Sequence, residues 1–148
     1  MRTQGIPTAA AILGAAGAIP FVLGTLGFWL LPPAEAAHAL DAQVFYGVTV
    51  LAFLGAVHWG AAFAEGPDAD RLWARLGWGV TPALIAWAAA MMTAVPALMT
   101  LMAGLGAAYV VDLRARDRGD VPGWYLDLRR RLTALALLAL GSSLLRAL

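Results

Sequence analysis

A single histidine, His58, lies inside an apolar stretch, residues 42–64, that contains no Asp, Glu, Lys or Arg. Trp59 follows it. An imidazole inside a membrane can relay protons, ligate a metal or a tetrapyrrole, or donate a hydrogen bond to a quinone carbonyl. It can equally stay neutral and hydrogen-bond a neighbouring helix. No carboxylate lies in the apolar stretches, so we expect His58 to have no carboxylate partner and favour the structural role. His58 and Trp59 remain the cofactor-binding candidates.

Further candidates lie in residues 112–131, where arginines and aromatic residues occur together. Trp124 and Tyr125 precede a run of three arginines that includes Arg129 and Arg130. Aromatic rings beside arginines are typical of a segment at the level of the lipid headgroups. We therefore expect these four residues to contact lipid or a partner protein. A helix start that is simply well anchored at the membrane surface explains the same pattern.

The acidic residues of this segment have expected structural roles. Gly119 is expected to end one helix, and Asp120, which comes shortly before Pro122, to cap the next. Asp112 is expected to pair with an arginine across the hairpin, and Asp127 with an arginine that follows it. These pairs would leave a solvated charge run at the membrane surface.

Small residues recur in the first apolar stretch, and Gly17 and Gly24 are seven residues apart. Small side chains allow helix backbones to approach closely in lipid. Gly17 and Gly24 are therefore candidates for contact with another subunit. Packing inside the same bundle is the alternative, and we favour it.

Several kinds of chemistry have no counterpart in the sequence. It contains no cysteine, no phosphate-binding glycine loop, and none of the common zinc-protease, hydrolase or redox motifs. The basic residues are not interleaved with aromatic residues in the manner of a nucleic-acid surface. We therefore expect neither an enzyme, nor a metal site, nor a nucleic-acid partner.

The elements that must position these residues are membrane-spanning helices. The chain has 148 residues, of which 61% are hydrophobic and 13% charged; a soluble domain carries about twice that share of charge. Four stretches contain no Asp, Glu, Lys or Arg: 3–34, 42–64, 76–111 and 132–145. A span needs about 20 residues, so the 36 residues of 76–111 predict a hairpin of two spans.

The sequence thus predicts one all-α membrane domain, residues 1–148, with about five spans at 6–31, 44–64, 76–92, 94–111 and 128–147. We expect the last helix to begin near Val121. The first stretch is too long for the hydrophobic core of a cleaved signal peptide, so we expect it to be retained.

In this topology nine of the ten basic residues share the side of the N-terminus. The positive-inside rule then predicts a cytoplasmic N-terminus and an external C-terminus. Without a transit-like start, a bacterial inner membrane is expected.

Three segments resemble the DUF3429 (transmembrane protein 69-like) family. Gly17-Ala18-Ile19-Pro20-Phe21 is similar to its GxIPF element, and residues 53–60, FLGAVHWG, to its FLGxxxWG element. Residues 122–133, PGWYLDLRRRLT, are similar to its PxWYxxLRxxLT stretch. The resemblance implies a small integral inner-membrane protein of bacteria and mitochondria, and it implies nothing about mechanism.

These observations favour a non-catalytic accessory or assembly subunit. The complex to which it belongs would be a larger, energy-converting complex of the inner membrane. Membrane lipids and other integral membrane subunits are the expected partners. A second hypothesis is a binder or carrier of a hydrophobic cofactor, such as a quinone or tetrapyrrole, at His58 and Trp59. A third is passage of protons or small solutes at His58. The sequence does not identify the cofactor.

Overall fold

A computed structural model describes residues 5–66 and 71–148, which form an all-α fold. Five helices and no strand are present in these two ranges. The helices are α1 (Thr8–Leu30), α2 (Pro33–Glu65), α3 (Leu72–Ala90), α4 (Ala94–Asp117) and α5 (Gly123–Ala147). Three of them, α1, α2 and α4, are long and apolar enough to cross a membrane. The predicted all-helical class is therefore confirmed.

Helix α2 is longer than expected. We predicted a span at 44–64, whereas α2 begins at Pro33, eleven residues earlier. Proline is favoured in the first turn of a helix, and the alanine-rich residues that follow have high helix propensity. With 33 residues, α2 is about 50 Å long and exceeds the roughly 30 Å of a bilayer core.

The helices alternate in direction, as hydrogen bonds at two heights show. Near one end of the bundle, Gln43 of α2 bonds Ser143 of α5. Near the other end, His58 of α2 bonds Asp112 of α4, which in turn bonds Arg129 of α5. Residue numbers therefore rise along α2 while they fall along α5. Because α2 and α4 both run towards the second end, α3 returns between them.

Close helix contacts depend on small residues. A Cβ atom added to Gly55 of α2 would collide with the backbone carbonyl of Gly79 in α3. Trp59 packs over the same glycine and donates an indole hydrogen bond to the carbonyl of Leu76 at 3.0 Å. The core of the bundle is built from leucines and alanines, including the fully buried Leu101.

The turn between α4 and α5 agrees only in part with the sequence analysis. Gly119 has φ +84°, which glycine adopts without strain, and it follows the end of α4 as predicted. Asp120 was wrongly predicted as a helix cap. Helix α5 begins at Gly123 after Pro122, with no side-chain cap, while Asp120 pairs with Arg118 at 3.0 Å. An arginine two residues away competes successfully for this carboxylate.

Candidate functional site

The candidate site is a buried group of polar side chains that we call the ionic network: His58, Asp112, Tyr125, Arg129 and Thr133. His58 Nε2 lies 3.0 Å from Asp112 Oδ1, and Arg129 Nε lies 3.0 Å from Asp112 Oδ2. Arg129 Nη1 donates to the Thr133 hydroxyl at 2.8 Å. Asp112 is 2% exposed and Arg129 is 5% exposed. The carboxylate thus joins α2, α4 and α5 through hydrogen bonds to charged or polar donors.

The expectation that His58 has no carboxylate partner was wrong. Asp112 ends the charge-free stretch 76–111, so it was assigned to the membrane surface in the sequence analysis. In the fold α4 continues to Asp117, and the neighbouring helices cover Asp112. An ionised carboxylate is buried only when it is paired, and here an arginine and a histidine supply the partners. The prediction that Asp112 pairs with an arginine across the hairpin is confirmed by Arg129.

Tyr125 closes one side of the ionic network. Its hydroxyl donates to Asp112 Oδ2 over 3.4 Å, a long and weak hydrogen bond. Tyr125 precedes the predicted span 128–147. Burial, followed by the nearby charge of Asp112, raises the pKa of the Tyr125 hydroxyl well above its ordinary value. The phenol therefore stays protonated and serves as a hydrogen-bond donor.

One nitrogen of the Arg129 guanidinium makes no hydrogen bond to the described residues. Its Nη2 atom is buried and has no hydrogen-bond partner in the part of the chain that the structure describes. Arg129 lines a cleft of about 420 Å³ between α1, α2 and α5, which we call the apolar cleft. Its walls are mainly aliphatic and aromatic, with Tyr46, Tyr125 and Arg129 as polar members. Two residues of the ionic network, Tyr125 and Arg129, therefore line a largely apolar space.

A second cavity lies on the other side of the ionic network, where α2 and α4 end and α3 begins. This polar cavity has a volume of about 550 Å³ and is lined by His58 and several charged residues, among them Arg75 and Glu65. Arg75 Nη1 donates to Glu65 Oε2 at 2.6 Å. This hydrogen bond raises the pKa of the Arg75 guanidinium, which precedes the predicted span 76–92. His58 and Arg129 thus face different cavities, with Asp112 between them.

A separate neutral network lies near the opposite end of the bundle. The Gln43 amide donates to the Phe21 carbonyl at 3.0 Å and to the Thr25 hydroxyl at 2.7 Å. The Gln43 carbonyl oxygen accepts a hydrogen bond from the Ser143 hydroxyl at 2.7 Å. Gln43 and Ser143 are both buried. This neutral network ties α1 and α5 to α2.

The structure distributes the predicted site residues over several surroundings. His58 lies in the ionic network and lines the polar cavity, whereas Trp59 packs between α2 and α3 and is not among the described residues that line this cavity. Gly24 faces the Gln43 side chain, and the Gly17 carbonyl accepts a hydrogen bond from Tyr46 at 2.6 Å. The close contacts of both glycines are therefore within the bundle.

The residues that were predicted to lie at the membrane surface also have different surroundings in the structure. Trp124 and Tyr125 line the apolar cleft and are half-buried. Arg129 is buried in the ionic network, whereas Arg130 is exposed and lies 3.8 Å from Asp127. Within residues 5–66 and 71–148, no group of three or more His, Asp or Glu side chains is arranged to hold a metal ion.

Sequence reasoning missed Thr133, Gln43 and Ser143, because a single hydroxyl or amide in an apolar helix has several possible partners. Gln43 did carry a signal, since an amide at the edge of a charge-free stretch requires hydrogen-bond partners when buried. Arg75 was counted only as a surface charge in the topology. Its position at the start of α3, facing α2, makes it a buried member of the polar cavity.

Comparisons with known proteins find one family model and two relatives that match nearly the whole chain. The family model described as "Protein of unknown function (DUF3429)" matches residues 6–145. The chain is 36% identical over 143 residues to "Transmembrane protein 69" of Xenopus tropicalis, covering 95% of this chain and 55% of the relative. It is 30% identical over 135 residues to "Transmembrane protein 69" of Mus musculus, covering 90% of this chain and 54% of the relative.

The chain spans about half the length of these curated relatives. No solved structure gives a significant match. The family match over nearly the whole chain, the two relatives named as transmembrane proteins and the long apolar helices together identify a multi-pass membrane protein. This chain belongs to the DUF3429 family.

Proposed function

We propose that this protein binds a lipophilic ligand whose headgroup carries a hydrogen-bond acceptor, such as a quinone, in the apolar cleft. One observation carries the proposal: Arg129 lines this cleft, and its buried Nη2 lacks a partner among the described residues. A buried N–H group without an acceptor costs free energy, which a ligand oxygen would recover. The protein would act as a binder or carrier without catalysing a reaction.

The shape of the apolar cleft supports this ligand class. Its volume of about 420 Å³ lies within the range of small-molecule sites. Leu13 and Phe53 at its edges are 72% and 69% exposed, so an aliphatic tail can extend from the cleft into the surrounding lipid. A quinone is favoured over a tetrapyrrole because His58, the imidazole considered as an axial ligand, faces the polar cavity instead.

The proposed ligand site differs from the one that His58 and Trp59 suggest in the sequence. Trp59 is engaged with α3, and His58 reaches the apolar cleft only through Asp112 and Arg129. The residues that we expect to contact the ligand are Arg129 and Tyr125 at the headgroup, with Trp124 and Tyr46 along the walls.

Purification in a mild detergent tests the proposal. We expect the full chain to retain a quinone-like lipid that solvent extraction and mass spectrometry identify, and to bind added decylubiquinone. Gly17→Leu places four carbons beside the cleft and should reduce the bound ligand at least about tenfold, because a filled cavity excludes it. Ala15→Leu adds a similar volume on the exposed side of α1 and is the control. Equal ligand content in the two variants, or no ligand in any preparation, would contradict the proposal.

An accessory or assembly subunit of a larger, energy-converting inner-membrane complex is the second candidate. It is favoured by α1, which packs on α2 and α5 and leaves a continuous apolar face outside. Leu13, Leu23 and Leu30 on this helix are 72%, 61% and 75% exposed. The same purification distinguishes the candidates: a stoichiometric protein partner supports the accessory role, and a lone protein with a bound lipophile supports the binder.

We further propose five membrane spans in a bacterial inner membrane, with a cytoplasmic N-terminus and an external C-terminus. The asymmetry of nine arginines against one supports this orientation, and the alternating helix directions support an odd number of crossings. Because the chain has no cysteine, the single variants Asp117→Cys and Leu148→Cys can be labelled cleanly in intact cells. We expect a membrane-impermeant thiol reagent to reach only position 148. Labelling of both positions from one side would refute the five-span topology.

A further inference from the structure

Among the residues that the structure describes, those that line the polar cavity carry an excess of positive charge, and the cavity lies apart from the apolar cleft. Arg71, Arg75, Arg114 and Arg118 line it, against the two carboxylates of Glu65 and Asp120. Both carboxylates already bond to arginines, Glu65 to Arg75 and Asp120 to Arg118. In the described ranges, no residue lines both the polar cavity and the apolar cleft. A cavity of this volume and charge attracts an anion.

Arg75 shows how the anion would be held. Its side chain is buried, with the residue only 7% exposed, and its Nη1 is occupied by Glu65. Its Nε and Nη2 atoms are both buried and have no acceptor within the described chain. Nε and Nη2 form one edge of the guanidinium, the edge that donates two parallel hydrogen bonds to an oxyanion. The unused donors are therefore arranged for bidentate binding.

We propose that the polar cavity binds a phosphate-bearing anion, with the Nε–Nη2 edge of Arg75 as its principal contact. Arg71, Arg114 and Arg118 would supply the surrounding positive charge. Phosphate is favoured over a carboxylate because it offers more acceptor oxygens and carries more charge for several arginines to share. The phosphate can belong to the headgroup of an anionic phospholipid or to a soluble molecule, since the cavity is at the predicted cytoplasmic end.

Binding measurements on the full chain in detergent test this assignment. Inorganic pyrophosphate is the soluble probe, with the shift in thermal unfolding temperature as readout. For the lipid source, the protein is placed in nanodiscs of phosphatidylglycerol or phosphatidylcholine, and the lipid retained after mild extraction is counted by native mass spectrometry.

Three variants accompany these measurements. Arg75→Gln removes the bidentate edge, and Arg114→Gln removes one exposed charge from the cavity wall without changing the Arg75–Glu65 pair. Arg116→Gln is the matched control because Arg116 is exposed on the same helix and does not line the cavity.

We expect Arg75→Gln to weaken binding about tenfold and Arg114→Gln about threefold, since charge-assisted hydrogen bonds contribute more than an exposed charge does. Arg116→Gln should bind like the unmodified protein. Preferential retention of phosphatidylglycerol alone assigns the site to a lipid headgroup, and stabilisation by pyrophosphate alone assigns it to a soluble anion. If neither probe binds, or if Arg116→Gln weakens binding as much as Arg114→Gln does, the proposal is overturned. The exposed Arg114 keeps the test valid even if Arg75→Gln fails to fold.

Discussion

Two polar networks connect the helices at different heights of the bundle, and they are built from different chemistry. The ionic network uses His58, Asp112 and Arg129 to join α2, α4 and α5. The neutral network uses Gln43 and Ser143 with Thr25 to join α1, α2 and α5. Amides and hydroxyls can be buried at moderate cost once they are paired, whereas buried charges require more complete compensation.

The difference between the networks indicates which one serves a ligand. The Gln43 amide and carbonyl both have partners at 2.7 to 3.0 Å, and Ser143 is fully buried. The ionic network lies between two cavities, and Arg129 retains a donor without a partner in the described part of the chain. A network whose hydrogen-bond donors and acceptors are paired with one another holds the helices in register. A network that has unpaired donors beside a cavity is suited to binding a ligand.

The largest expected effect comes from neutralising the centre of the ionic network. Asp112→Asn leaves the buried Arg129 charge without a counterion and should lower the free energy of unfolding in detergent by about 3–5 kcal/mol. Asp127→Asn is the control because its pair with Arg130 is exposed and 3.8 Å long, so its loss should cost less than about 1 kcal/mol. Similar losses in both variants would show that the burial of Asp112 has no energetic consequence.

Disrupting the neutral network should have a smaller effect. Gln43→Leu removes three hydrogen bonds but leaves no buried charge, so we expect a loss of about 1–2 kcal/mol in unfolding free energy. Thr81→Val serves as control because the exposed Thr81 hydroxyl donates to the Gly77 carbonyl of its own helix and connects no two helices among the described residues. Ligand retention in the apolar cleft should not change. A loss equal to that of Asp112→Asn would remove the energetic distinction between the two networks.

Substitutions of His58 distinguish two possible roles of this residue in the ionic network: stabilising the fold and contacting a ligand. His58→Gln keeps a donor towards Asp112, so stability should stay close to that of the unmodified protein. His58→Leu loses a hydrogen bond of about 0.6 kcal/mol, the average for such bonds between membrane helices. Thermal unfolding and ligand content are measured together. If both variants accumulate normally yet lose the ligand, His58 itself belongs to the binding site.

The smallest effect is expected at Tyr125. Its bond to Asp112 is 3.4 Å long, so Tyr125→Phe should change the unfolding free energy by no more than about 0.5 kcal/mol. Tyr46→Phe removes a 2.6 Å bond to the Gly17 carbonyl and should cost about 1 kcal/mol. A reversed order would mean that Tyr125 bonds Asp112 more strongly than this distance indicates.

Much of the architecture follows from the sequence. Charge-free stretches mark where apolar helices must form, because a run of such residues satisfies its backbone hydrogen bonds only as a helix in lipid. Gly119 identifies the turn before α5, and the charge pattern identifies an arginine partner for Asp112. The start of α2 was less predictable, since Pro32 and Pro33 end one helix and also begin the next.

The site was decided by the tertiary structure. His58 and Asp112 are 54 residues apart, and Gln43 and Ser143 are 100 residues apart, so no local pattern pairs them. Their meeting depends on the axial register of the helices, which is set by close contacts such as Gly55 against Gly79 and by turn geometry. The sequence determined that helices form and which residues are polar. Only packing decided which of those residues lie at the same height, because a shift of one helical turn, about 5.4 Å, would separate any of these pairs.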